Sequence, residues 1–201
     1  MVKLVYTLAL GAGAARHEGS SPSIRTMSFL YHAVPADMIG SVLYPLNVLK
    51  DMYPERYSAQ VAKYEGRAEV MEQPVPPLDC LWNDVIHLTA IPPRAIKDAL
   101  LSAGSADFQR LYYQIDPSLL EVEKTTIYLY AHRFKSEKFN VENFAVYSPS
   151  EIHRYAQLPT ETKNYYKEEL AAGRRPLSYH RVPHILYKAQ LDISRAPIIT
   201  I

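Results

Sequence analysis

Cysteine is almost missing from this chain: Cys80 is the sole thiol in 201 residues. An internal disulfide and any metal centre built on several thiolates are thereby excluded, and a reducing, cytoplasmic setting fits best. Glycine is sparse too, with seven in all, and the one glycine-rich piece, "GAGA" from Gly11, lacks the Lys-Ser/Thr that a phosphate loop needs. The apolar run from Leu4 to Ala15 is interrupted by glycines and too short to span a bilayer, so no membrane partner is expected. Charge of either sign is not in excess: 22 basic residues face 21 acidic ones. Such a balance creates no general field for nucleic acid or anionic lipid. Internal repeats, heptads and low-complexity stretches are absent.

What the chain does have is tyrosine, sixteen against five phenylalanines. Tyrosine combines an apolar body with a polar tip and suits wet clefts and interfaces, although it also serves as an ordinary half-buried strand residue. With 48% hydrophobic and 21% charged residues the composition is that of a globular domain able to bury a real core. Residues 1–26 read differently from the rest. "HEGSSPSIRT" is like a peptide translated from the T-arm of a tRNA gene, and Met27 opens a plausible domain with "MSFLYH". The expected organisation is a leader or upstream-extended start over 1–26 and a single domain over 27–201, with a secretory signal as the competing reading of the leader.

The pattern along 27–201 is α+β. Strands are expected at "SFLYHAV", at Val42 to Leu46, "DVIHLT", "QRLYYQID", "TTIYLYAH" and "HILYKAQLDIS". Helices are expected after Pro54, in "PPRAIKDALLSAG" with a stop at Gly104, in "SPSEIHRYAQL", and from Pro159 to Gly173. The proline-rich "MEQPVPPLDCLW" reads as an extended loop, and "RFKSEKFNVEN" as a polar loop. Short strands interrupted by helices do not form a regular βαβ alternation.

Three of the strands carry a histidine where a buried strand ordinarily has Val, Ile or Thr: His32, His87 and His184. Imidazole loses hydration on burial and needs a partner there. A single strand histidine is most often a satisfied core residue; three in separate strands suggest a shared site. Imidazole donates and accepts near neutral pH, so such a group can orient ribose or phosphate oxygens or move a proton. Arg94, Arg174 and Arg175 can supply phosphate contacts, or the last two can simply complement a helix C-terminus. The three strand histidines lack a short chelate spacing among themselves, so a metal is not expected.

The ordered motifs "LYHAV", "VIHLT", "LYYQIDPSLL" and "VPHILYKAQLDI" resemble a family of small uncharacterised bacterial proteins with the ADP-ribosyltransferase-like fold. The likeness runs from Phe29 to Ile193, with 51–79 and 131–179 read as insertions. Two positions depart from the family pattern: Val182 stands for Phe, and Lys188-Ala189 stand for Gly. The resemblance implies two small, mostly antiparallel sheets around a cleft with peripheral helices. It implies NAD or another nucleotide as ligand, with His32, His87 and His184 as catalytic candidates and Tyr31, His32, Thr89, Arg94 and Tyr187 as ligand-binding ones. A protein or RNA acceptor would follow if ADP-ribose were transferred. The late glutamate that such transferases use has no counterpart on the last strand expected, which offers only Asp192. Two functions therefore stand side by side: a nucleotide-handling protein with histidine chemistry, or a non-catalytic, immunity-type interaction protein of a mobile element using its tyrosines. The first requires at least two of the imidazoles to face one pocket of about 300–1,000 Å3.

Overall fold

The computed structural model describes residues 28–36, 38–66, 68–130 and 139–201. The leader expected over 1–26, and much of the polar loop expected after Ala131, lie outside the described residues. Eleven strands and four α-helices are seen among the described residues, with short 3-10 turns between them. In chain order they are β1 (Leu30–Ala33), β2 (Val42–Leu43), α1 (Leu46–Met52), α2 (Pro54–Val61), β3 (Pro74–Val75), β4 (Cys80–Leu81), β5 (Ile86–Leu88) and α3 (Pro93–Ser102). There follow β6 (Leu111–Ile115), β7 (Thr125–Tyr128), β8 (Phe144–Val146), α4 (Thr160–Ala171), β9 (His184–Tyr187), β10 (Leu191–Asp192) and β11 (Ile198–Thr200).

Two antiparallel sheets form the frame, ordered β1-β6-β11 and β5-β9-β7-β8. They meet at a single bridge between Tyr31 of β1 and Thr89 just past β5, where each amide donates to the other's carbonyl at 2.8 and 3.1 Å. Side chains alternate across a strand, and the second sheet buries both faces. Ile86, Leu88, Ile127, Ile185 and Tyr187 enter the main core beside Leu30 and Ile115 of the first sheet. Tyr128 and Leu186 point the other way, into a second core with Val75, Leu78, Trp82 and Val85. A third cluster packs α3 on α4 through Ile96, Leu100, Leu158 and Tyr166. Each of these aliphatic side chains stabilises the fold by roughly 1.5–3 kcal/mol through burial.

The α+β class is observed. The proline-rich stretch taken for a loop is a short hairpin, β3 paired with β4, and Asp79 turns it with φ +46°. Pro76 and Pro77 occupy a 3-10 turn, where their missing amides cost no ladder bond. "HILYKAQLDIS" is two strands in different sheets, β9 and β10, because the chain bends at Lys188, whose ammonium donates to the Leu78 and Asp79 carbonyls at 2.6 and 3.0 Å. "SPSEIHRYAQL" forms a 3-10 helix over Pro149–Tyr155 rather than an α-helix. α3 starts with Pro93 in its first turn and ends before Gly104 at φ +101°, as its sequence implies.

Candidate functional site

His87 sits between Ile86 and Leu88, which both turn into the main core, so its imidazole is carried to the opposite face. There it meets Trp82, with ring centroids 4.5 Å apart. Trp82 is set by a 3-10 turn over Trp82–Asp84. The Asp84 carboxylate accepts from the Leu81 amide at 2.8 Å and from the Asn47 side-chain amide at 2.5 Å. The indole-bearing residue also donates its own backbone amide to the Gln73 carbonyl at 2.8 Å. His184 opens β9 directly behind Pro183, paired across the sheet with Tyr128. Its ring lies 6.2 Å from that of His87, 5.8 Å from Trp82 and 6.3 Å from Tyr128, stacked on the last at 20°. Phe139 closes the group by stacking on Tyr128 at 4.5 Å.

Both imidazoles are held neutral. Burial drives the His87 pKa down to about 3, with the neighbouring His184 adding to the shift and the Trp82 carbonyl opposing it. Burial likewise brings His184 down to about 4, opposed by the Tyr179 carbonyl and reinforced by His180. The His87 Nε2–H donates to the Trp82 carbonyl at 3.0 Å. With one nitrogen committed to a carbonyl, a neutral imidazole keeps the other as an acceptor. Two acceptor nitrogens within an aromatic wall suit a planar heteroaromatic ligand bearing an amide or amino group. Among the described residues, no carboxylate contributes to either shift. Glu169 pairs with Arg174 at 2.7 Å and Asp192 accepts from the Ser194 amide at 2.8 Å.

The other residues singled out from the sequence fall in several places. His32 is half-buried on β1 opposite Tyr113, close enough that its charge bears on His87. Tyr31 and Thr89 form the bridge between the sheets, and the Thr89 hydroxyl accepts from the Ile91 amide at 3.1 Å. Tyr187 is not brought to the site: three residues beyond His184 on the same strand, it points into the main core and donates its hydroxyl to Glu121 at 3.2 Å. Arg94 is exposed at the start of α3, where its charge is felt by Asp107. Arg174 is engaged by Glu169 through two hydrogen bonds of 2.8 and 2.7 Å, the helix-end role rather than a phosphate contact. Burial raises the Cys80 thiol to about 11, which keeps it protonated near neutral pH.

One further histidine belongs to the cluster and escaped the sequence reading. His180 lies in the turn before β9, with the Tyr130 hydroxyl 2.7 Å from its Nδ1 and the Tyr165 ring 4.2 Å away. His180 and His184 are spaced as H-x-x-x-H, the one sequence signal that marks His180. The intervening chain is a turn with Arg181 at φ +58° and not a helix, and the described residues contain no group of three or more candidate metal ligands. Tyrosines of the segment 131–179, available to the interaction-protein reading, are turned inward: Tyr147 and Tyr166 are buried, and Tyr155, Tyr165 and Tyr179 partly so.

Two cavities are seen among the described residues, and neither is lined by His32, His87 or His184, where a nucleotide-sized pocket is expected. One cavity of about 520 Å3 lies between α3 and α4, lined by Ala95, Ala99, Leu158, Lys163 and Lys167. Another of about 420 Å3 lies beside Pro45, Asp84 and Lys188. His87 and His184 are both half-buried. Among the described residues no helix is long and apolar enough to cross a membrane. Comparison with family models, with curated protein sequences and with solved structures returns no match for the chain.

Proposed function

We propose that this chain binds a nucleotide of the NAD or ADP-ribose class in an ADP-ribosyltransferase-like fold, with the planar ring of the ligand against His87 and His184. The observation that carries the reading is the pair of neutral imidazoles 6.2 Å apart beside Trp82 and Tyr128. Two small antiparallel sheets meeting at the Tyr31–Thr89 bridge support the fold assignment. The ligand chemistry follows from the donors and acceptors. Aromatic faces stack on a base or on a pyridinium ring, and acceptor nitrogens take the N–H groups of a carboxamide or an exocyclic amine. A ring entering this site displaces part of the aromatic packing, so binding goes with a local rearrangement of Trp82 or Phe139.

Group transfer, if the chain performs it, runs on imidazoles, because β9 carries no carboxylate. Calorimetric melting with NAD and ADP-ribose tests the reading. Ligand at 100 times its Kd adds roughly 2.7 kcal/mol of stability, and His184→Ala should remove the ligand-dependent increment while the apo protein still melts cooperatively. Wild-type protein that gains no stability from either nucleotide overturns the proposal. Release of nicotinamide from NAD, assayed with RNA and protein acceptors present, separates an enzyme from a binder.

A further inference from the structure

α4 turns Thr162 and Tyr166 into the protein, where both are buried. Lys163 and Lys167 follow them by one position each, so they stand one helical turn apart on the side of α4 that lines the cavity of about 520 Å3. Neither lysine has a carboxylate three or four residues away along the helix: those positions hold Pro159, Thr160, Asn164, Tyr166, Leu170 and Ala171, apart from the lysines themselves. Like charges at this spacing work against a helix, and among the described residues neither ammonium forms an ion pair. The glutamates of α4 stand elsewhere, and Glu169 is engaged by Arg174. Two exposed cations thus share the edge of a cavity without an anion of the protein between them.

Across from them the cavity is apolar. Ala95 and Ala99 of α3 are small and partly buried beside Leu158, while Ile96 and Leu100 of the same helix turn into the core between α3 and α4. The volume is within the range that takes a small organic molecule, about 300–1,000 Å3. Asp98 is the one carboxylate among the lining residues, so two ammoniums against it leave a single positive charge. A monoanion neutralises that charge; a dianion such as a phosphate monoester carries one negative charge too many beside Asp98. We infer that this cavity binds an organic monocarboxylate with an apolar body, its carboxylate between Lys163 and Lys167 and its body over Ala95 and Ala99. The inference goes beyond the nucleotide reading and does not depend on it, since neither His87 nor His184 lines this cavity.

The test is calorimetric titration at pH 8 and low salt with octanoate, octylammonium and octyl phosphate, which share one chain and differ in the charge of the head. An exposed ion pair is worth about threefold in affinity, so the wild type should prefer octanoate to octylammonium about tenfold, and added salt should shrink the preference. Lys163→Gln combined with Lys167→Gln should abolish it. Both lysines are exposed, so this variant keeps its packing, and a melt like that of the wild type checks the point. Ala99→Leu fills the apolar side and should weaken octanoate and octylammonium alike. Equal affinity of the wild type for these two, or no affinity for octanoate, overturns the inference, and so does a preference that persists in the doubly substituted protein. Octyl phosphate binding tighter than octanoate overturns the monocarboxylate assignment. Sedimentation of the same samples tests the other occupant: a wild-type dimer that Ala99→Leu dissociates puts a second copy of the chain in the cavity and overturns the small-molecule site.

Discussion

The His87 imidazole lies 6.2 Å from that of His184 and nearly perpendicular to it, the planes meeting at 88°. Both rings are shared with Trp82, so the three form one packed unit on the second face of the larger sheet. Two bases held neutral at this distance make the fold sensitive to acid well above the range in which carboxylates titrate.

The sign of that sensitivity is fixed. An unfolded histidine titrates near 6.5, whereas His87 and His184 fall to about 3 and about 4 in the folded protein. Below pH 6.5 the unfolded chain binds protons that the folded one refuses, so stability is full above that pH and declines as pH falls. Each imidazole contributes a slope of about 1.4 kcal/mol per pH unit between roughly pH 6 and 4. Urea denaturation at half-unit steps from pH 7.5 to 4 should show it, and His184→Gln should flatten the curve. A wild-type profile level across that window contradicts the neutral pair.

Trp82 is the keystone of the second core, touching His87, Tyr128, Phe139 and His184. Trp82→Ala should cost about 3–5 kcal/mol in chemical denaturation. The neighbouring imidazoles then gain water, so the acid sensitivity of the fold should shrink together with its stability.

Tyr147 is 1% exposed and donates its hydroxyl to the Pro117 carbonyl at 2.7 Å, tying the segment after β8 to the turn after β6. Tyr147→Phe keeps the ring and strands that carbonyl, for a loss of about 1–3 kcal/mol. Equilibrium unfolding should show a lower midpoint at unchanged slope.

Thr162→Val removes one hydroxyl from α4 at nearly constant volume, leaving the Arg181 carbonyl unmatched. The expected loss is again about 1–3 kcal/mol, and it should be accompanied by faster amide hydrogen exchange over His180 to Val182. Unchanged exchange there would show that the turn does not depend on Thr162.

Much of this architecture is legible from side-chain periodicity. "IHL" announces a strand with two apolar neighbours turned one way and a histidine the other, and the structure places His87 so. The same alternation already separates His184 from Tyr187, three positions apart and hence on opposite faces; the family likeness suggested otherwise, and the pleat decides. β8 and β11 escape detection because each is a three-residue edge strand with no fully buried residue, so no buried pattern marks them. Prolines disguise the hairpin that supplies Val75 and Leu78 to the second core. His180 stays hidden for a different reason: its role depends on a contact with Tyr130 across fifty positions, which no local pattern encodes.

The order in which the chain visits its sheets has a kinetic consequence. It lays β1 in the first sheet, β5 in the second, β6 in the first, β7, β8 and β9 in the second, and β11 again in the first. Neither sheet is thus a contiguous piece of chain, and the pairing of Leu30 with Ile115 closes a long loop before its contacts can reward it. Folding of this kind is slow compared with that of a helical bundle of equal size. On the ribosome β6 waits half-paired, since its second neighbour is made only when residues 198–200 have emerged. Leu111, Tyr112 and Tyr113 therefore present an open strand edge from the moment β6 is made until β11 follows it, and that interval is when the nascent chain is most exposed to wrong partners.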